Sequence, residues 1–390
     1  MGIPIVPKST KILVIGGGPA GAYTASVLAR EGFQVTVFEK DHFPRYHVGE
    51  SMLPSFNAFL EFVGAKEKVK KCGFVMKPGA AIKLNQYKRE GYTNFIQFNL
   101  ENSAWNLLRS EFDDLLLKHA AECGAQVHNG VIIDEIHFSK TDKTRPISAS
   151  WSSKYGSQTG TISFDWLVDA SGRNGIMSTK YLKSRKFNES LRNIATWGYW
   201  RGAGVYSPGT DRENAPWFEA LTGTVSVGVV VSEKSNRIKK SRIQASSDKD
   251  TTVAHYLEQL KLAPGVLRLL GDATFNGLTR SAGDYSYSSK SNHYAGNHYR
   301  IAGDAGDLFA NVAQRIDPEL LTPNAPLMSA KEVDAITGED EEAKQVLRKH
   351  NSNKALSIAF DYQHNFRNEI LNGMYVHLEK GELGLRRICD

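Results

Sequence analysis

Cysteine is scarce: three residues in 390, at positions 72, 123 and 389. The number is odd, the spacing wide, and no Cys-x-x-Cys pair occurs. That excludes a disulfide framework and a cysteine-ligated zinc site, and it points to a reducing compartment. Long apolar runs are also missing. A stretch such as Val225 to Val231 is far too short to cross a bilayer. The first ten residues, MGIPIVPKST, lack the charged start and apolar middle of a signal peptide. Gly2 is followed at position 6 by Val6, where myristoylation wants Ser or Thr, and Cys389 forms no prenylation box. No internal repeat or low-complexity tract is present. The expectation is a soluble, cytoplasmic protein without a membrane partner.

What is there is ordinary globular material. Hydrophobic residues make up 41% and charged residues 23%, which excludes collagen and disordered polyelectrolytes. The net charge of +6 is small against 48 basic and 42 acidic residues. It suits an anionic small-molecule cofactor as well as a polyanion. The basic cluster Lys234, Arg237, Lys239, Lys240 and Arg242 has no interleaved aromatics, so it reads as a solvated loop and no nucleic-acid partner is expected.

The sharpest local signal is KILVIGGGPAG, residues 11–21. A branched apolar run reads as a buried parallel strand, broken by glycines and followed by a helix through Arg30. Gly16, Gly18 and Gly21 fit G-x-G-x-x-G: a tight turn, close approach of a pyrophosphate, and packing of helix on strand. The helix N-terminus then offers free N–H groups to phosphates. Gly32 ends the helix, and a second strand, Gln34 to Phe38, runs into Glu39, placed to accept a ribose hydroxyl. This is a dinucleotide site, open at this point to either NAD or FAD.

Further motifs narrow it. GGGPAG, then Phe38-Glu39-Lys40 and Pro44-Arg45-Tyr46-His47-Val48-Gly49-Glu50-Ser51, resembles the start of a flavin-dependent halogenase of the fungal branch that acts on phenolic polyketides. WNLLRSEFD (105–113), DASGR (169–173) and YRIAGDAG (299–306) resemble later elements of the same family, in the same order. The resemblance implies an α/β fold: a Rossmann-like FAD-binding domain of the glutathione-reductase, p-hydroxybenzoate-hydroxylase-like type, with an inserted mixed β-sheet substrate domain and a C-terminal helical segment. The expected layout is FAD domain 1–75, substrate-sheet strands 76–100, FAD domain 101–190, substrate domain 191–295, an incomplete third FAD part 296–320, and helices in 321–390. Strands are expected at 82–86, 94–98, 194–199 and 225–231, and a helix at 257–270 broken at Pro264-Gly265.

By the same resemblance, Gly17 and Ala20 join the phosphate loop, Arg45 and Glu50 lie along the FAD, Arg109 approaches the flavin, and Asp304 bonds the ribityl chain. From the residues alone, Arg45 reads equally as a solvated surface charge and Glu50 as a helix-start carboxylate. The implied chemistry takes FAD reduced by a separate flavin reductase. O2 gives a flavin hydroperoxide, chloride is oxidised to hypochlorous acid, and a lysine in a second pocket directs this oxidant onto a phenolic substrate. The lysine that matches is Lys77, ahead of Pro78-Gly79-Ala80. On composition alone it is one more solvated cation, with Lys83 on the outer face of a strand as its competitor. No metal is implied.

Two departures from the family pattern stand out. A Trp-x-Trp-x-Ile-Pro tag is absent between FEALT (218–222) and SVGVV (226–230), which Gly223, Thr224 and Val225 join directly. After Gly306 the family's Pro-Phe-Phe-Ser-Ser-Gly loop gives way to DLFANV, with no glycine before Gly338. The departures leave two alternatives beside chlorination: an FAD-dependent aromatic hydroxylase, and a catalytically inactive flavin-binding remnant.

Overall fold

The computed structural model describes residues 5–82, 91–97, 100–187, 192–210, 212–213, 219–221, 223–244, 251–283, 287–289, 294–305, 374–377 and 384–387. Lys83 and the stretch after Ala305, where the family has its ring loop and this chain has DLFANV, lie outside them.

The chain opens with β1 (Ser9–Ile15), turns at the glycines into α1 (Pro19–Arg30) and returns as β2 (Val35–Glu39). All five residues of β2 are buried. That continuous burial is what a parallel strand covered on both faces requires. Next come α2 (Phe56–Val63), α3 (Lys66–Lys71), β3 (Val75–Lys77), β4 (Gly79–Ile82), β5 (Gly91–Asn94), β6 (Ala104–Asn106) and α4 (Arg109–Glu122). The strands expected at 82–86 and 94–98 begin three residues earlier. For β5 the reason is local: the Asn94 side chain accepts the N–H of Ile96 at 3.1 Å, an Asx turn that stops the strand. Ile82 pairs with Gly91 and Gly79 with Asn94.

The main sheet is completed by β7 (Gln126–Asn129), β8 (Val131–Phe138), β9 (Pro146–Ser153) and β10 (Thr159–Asp169). Beyond it run β11 (Arg185–Phe187), β12 (Asn193–Arg201), β13 (Glu219–Leu221), β14 (Thr224–Ser232), α5 (Glu233–Gln244), α6 (Thr251–Leu260), α7 (Pro264–Leu270), β15 (Thr274–Gly283) and β16 (Tyr287–Ser289). The chain then returns to the main sheet through β17 (Ala295–Gly296) and β18 (Tyr299–Ile301). The path across that sheet is β17-β18-β10-β1-β2-β7, with β9 pairing both β10 and β8. β1 lies between β10 and β2, parallel to both. One face buries Val14, Val37, Leu60, Phe112 and Leu116 under α1, α2 and α4; the other buries Leu13, Phe38, Ile162, Leu167 and Met177.

The insert between β11 and β16 is a four-stranded antiparallel sheet, β13-β14-β12-β15. Val225, Val227, Tyr256, Leu260 and Leu270 form its own small core. The expected helix break is present: α6 ends at Leu260 and Pro264 starts α7. The basic cluster 234–242 is a correction, because it forms α5 rather than a loop. Lys and Arg are good helix formers, and Glu233 pairs with Arg237 at 3.2 Å, one turn on. Where the family tag is missing, Leu221 pairs with Thr224, which leaves two residues for the turn. Gly223 sits there at φ +79°, a conformation β-hairpin turns favour.

Of the expected helical segment 321–390, the described residues are two strands, β19 (Met374–His377) and β20 (Gly384–Arg387), paired antiparallel. There the helical expectation is overturned. Met-Tyr-Val-His is rich in residues that favour a pleated surface, and Gly381 lies between it and its partner.

Candidate functional site

A cavity of about 610 Å³ opens at the carboxyl ends of β1, β2 and β10. This is where an open parallel sheet binds its ligand. Gly16, Gly18, Ala20, Glu39, Arg45, Arg109 and Asp304 all line it. Residues read from four stretches spread over the sequence therefore meet on one surface. Gly17, Gly21, Glu50 and Lys77 do not line it.

The glycine turn explains itself sterically. Gly16 has φ +103°, and a Cβ there would lie 2.3 Å from the Ala170 carbonyl oxygen. A Cβ on Gly21 would lie 1.8 Å from the Gly16 carbonyl oxygen. A Cβ on Gly18 would instead meet the Arg45 guanidinium at 3.5 Å. So two of the fingerprint glycines serve chain packing, and the middle one keeps open the space beneath Arg45. Gly17 faces inward, its N–H donating to Glu39 Oε2 at 2.6 Å. Asp41 N–H donates to Glu39 Oε1 at 2.9 Å, so the buried carboxylate is fixed by backbone at the edge of the cavity.

Two arginines share one acid. Arg109 donates through Nε to Asp113 Oδ1 at 2.7 Å and through Nη2 to Oδ2 at 3.1 Å. Arg45 Nη1 donates to Asp113 Oδ2, also at 3.1 Å. Arg109 Nη1 is used by the Val48 carbonyl at 2.7 Å. Arg109 therefore pins the turn before Glu50 as well as lining the cavity. Asp113, fully buried, was not singled out from the sequence. Its place one helical turn after Arg109 was the available signal. Arg45, by contrast, is no free surface charge: it stacks over Phe43 at 4.5 Å and overhangs the glycine turn.

Asp304 lies in a short 3-10 turn at the cavity wall. Burial raises its pKa, against the pull of His47, Arg109, Arg173 and Arg185. Burial also lowers the pKa of His47, which lines the same cavity.

Glu50 is not among the residues that line the cavity; its side chain accepts the Tyr199 hydroxyl at 2.9 Å. The reason is the extended pairing of residues 50–52 against β6: Leu107 N–H donates to the Glu50 carbonyl at 2.7 Å and Met52 N–H to the Trp105 carbonyl at 2.9 Å. The segment Gly49–Met52 thus forms a wall. On it Lys77, 7% exposed, donates from Nζ to Ser51 Oγ at 2.7 Å and to the Met52 carbonyl at 3.2 Å. The Phe95 ring lies 5.4 Å from its nitrogen. Burial holds the Lys77 pKa below the ordinary lysine value. Tyr46, Tyr199 and Trp197 were not foreseen as partners of this wall, because hydrogen bonds between residues about 150 positions apart carry no motif.

The cavity suits the cofactor implied by the glycine pattern. At the start of α1 no side chain caps the helix and its first turn holds no acid, so the N-terminal N–H groups and Arg45 converge on space fit for a diphosphate. Glu39 stands at the end of β2, on the same cavity. Among the described residues no cluster of His, Cys, Asp or Glu could hold a metal ion, and no helix is long and apolar enough to cross a membrane.

Comparison with known proteins agrees. The tryptophan halogenase family model matches residues 11–103. The flavin-dependent halogenase armH1 of Armillaria mellea is 42% identical over 520 aligned positions, covering 98% of this chain and 99% of that protein. Those positions exceed the chain's 390 residues by 130, so this chain lacks internal segments that armH1 has. The flavin-dependent halogenase armH2 of the same fungus is 58% identical over 77% of the chain, which spans 61% of that protein. Among solved structures, the myxobacterial chondrochloren halogenase CndH, an FAD-dependent halogenase, superposes with a TM-score of 0.66 at 22% identity, covering 91% of this chain and 83% of that one. That likeness carries the Rossmann-like FAD-binding fold.

Proposed function

We propose, from the premise that the chain belongs to the flavin-dependent halogenase family, that it chlorinates an electron-rich phenolic metabolite of the polyketide type. It would take FAD already reduced by a separate reductase, with chloride and O2 as co-substrates. Neither hydroxylation nor an inactive remnant is favoured by relatives that are themselves named as halogenases.

Gly16, Gly18, Glu39 and Arg45 would hold the adenine end and diphosphate, and Arg109 and Asp304 would border the flavin. When bound in reduced form, the flavin supplies the two electrons with which O2 and chloride give hypochlorous acid and water. The protein's part is to keep that oxidant from bulk water and to orient it.

The observation that carries this reading is Lys77: a buried ammonium that, among the described residues, donates only to neutral oxygens, on a wall beside the cofactor cavity. Its N–H can donate to the oxygen of hypochlorous acid and draw electrons from the O–Cl bond. The aromatic carbon then takes chlorine, the ring proton leaves, and the oxygen departs as water. Phenols suit this step because their ring carbons are rich in electrons.

The test mixes full-length protein, reduced FAD, O2, chloride and a phenolic polyketide. Chlorinated product is expected. Lys77→Ala should abolish it while trapped hypochlorous acid persists. Hydroxylated product formed without chloride would refute the reading, and retained chlorination in Lys77→Ala would remove Lys77 from it.

A further inference from the structure

Four side chains link the substrate sheet to the Gly49–Met52 wall in one hydrogen-bonded line. Trp197 Nε1–H donates to the Tyr46 hydroxyl at 2.8 Å, Tyr46 and Tyr199 hydroxyls lie 3.0 Å apart, and Tyr199 donates to Glu50 Oε1 at 2.9 Å. All three contacts have hydrogen-bond length. The ends differ in access. Glu50 is 6% exposed, whereas Tyr46 is 40% exposed and lines the cofactor cavity. A buried acid is thereby wired to an open hydroxyl on the cavity.

The direction of the line can reverse. An indole N–H only donates, so Trp197 always fills one acceptor site on Tyr46. With Glu50 ionised, Tyr46 donates to Tyr199 and Tyr199 to the carboxylate, all hydrogens pointing inward. With Glu50 protonated, its O–H donates to Tyr199, Tyr199 to Tyr46, and the Tyr46 O–H is left to point into the cavity. The groups that face the line fit either state. Arg109 from α4 is the cation nearest Glu50 in effect, and Arg280 from β15 stacks over the Tyr46 ring at 3.7 Å. Burial raises the pKa of Glu50, against Tyr199 and Arg109, and raises that of Tyr199, so Tyr199 passes a proton without holding a charge.

We propose that Glu50, Tyr199 and Tyr46 form a proton-delivery line that ends at the cofactor cavity. The proposal rests on the halogenase reading for its purpose. Neutral reduced FAD, O2 and chloride need one further proton to balance as FAD, hypochlorous acid and water. The Glu50 O–H bond breaks, Tyr199 takes that proton and passes its own to Tyr46, and Tyr46 gives its own to a developing oxyanion in the cavity. Glu50 is left ionised and regains a proton from water. No electrons move along the line. Tyr46 is the catalytic member; Tyr199 and Glu50 act through it.

Two measurements test it. Infrared difference spectra of the full chain without FAD, stepped in pH, should show a protonated-carboxyl band that vanishes in Glu50→Gln. Its midpoint should move to higher pH in Tyr46→Phe, although Tyr46 does not touch Glu50, because Tyr199 becomes a weaker donor to the carboxylate. An unmoved midpoint overturns the line. This arm needs no activity, so it decides the proposal even if the protein makes no hypochlorous acid and the halogenase reading fails. In the second arm, chloride oxidation without any phenol is followed against pH. Glu50→Gln and Tyr199→Phe should each lower the rate about a hundredfold and abolish its fall at high pH, with the double variant no worse. FAD affinity, read by titration, should stay within about threefold. A loss that lies wholly in FAD affinity, or full rates in Tyr199→Phe, would assign the line a structural role only.

Discussion

Two buried cations flank the Gly49–Met52 wall and are treated in opposite ways. Arg109 has a fully buried carboxylate in bidentate contact and a backbone carbonyl on its remaining arm. Lys77 has a hydroxyl and a carbonyl, both neutral. The first arrangement locks a charge in place; the second weakens the hold on a proton. A guanidinium suits the former because it cannot be deprotonated in a protein, and an amine suits the latter because its pKa moves readily on burial. Fixed charge thus holds one end of the wall, at Val48, and a group that can change state holds the other, at Ser51 and Met52.

The contrast breaks most severely at Asp113. Asp113→Asn would leave Arg109 as poorly matched as Lys77 and also leave Arg45 with Asp41 as its remaining acid. Breaking a buried pair on one side costs about 3 kcal/mol. Urea unfolding should show that loss, and FAD titration should show weakened binding. A loss under about 1 kcal/mol would mean that Val48 and Gly49 alone hold Arg109.

Ser51→Asp works the other way, giving Lys77 an acid at the atom it now reaches at 2.7 Å. The Lys77 pKa should rise toward its ordinary value, and chlorination of the phenol should fall about tenfold at neutral pH. Formation of hypochlorous acid should be unaffected.

The smallest effect is expected for the stability of Lys77→Met. Removing a desolvated charge without stranding a partner should change stability by less than about 1 kcal/mol near neutral pH. The pH dependence fixes the sign. Burial lowers the Lys77 pKa, so between that lowered value and 10.5 the unfolded chain binds more protons than the folded one. The stability of the parent protein relative to Lys77→Met should therefore rise with pH across this window. A flat difference would show that Lys77 feels water.

Much of the cavity was legible before the fold was known, because its chemistry is carried by short stretches. The turn from Gly16 to Gly21, the carboxylate at Glu39, and Arg45, Arg109 and Asp304 each stand in a local pattern that the sheet then gathers. The hydrogen bond of Glu50 to Tyr199 was not legible, because its neighbours on the chain do not decide its surroundings; pairing with β6 does. Tyr46, Trp197 and Tyr199 escaped because hydrogen bonds between aromatics distant in sequence leave no spacing to read. The missing tag was visible as a missing string, yet only the register of Leu221 with Thr224 shows that the sheet closes without it.

β10 sits between β1 and β18, and its partner β18 begins at Tyr299, with Leu167 set against it. On the ribosome, about 130 residues must be made after Leu167 before that edge can be filled. At ~5–20 residues per second this takes about 7 to 26 seconds. During that interval a row of unmet backbone donors and acceptors beside Val168 stays open to other nascent chains. The inserted sheet thus imposes a waiting time on synthesis, and yield from a heterologous host should respond to chaperone supply and to slower growth at low temperature.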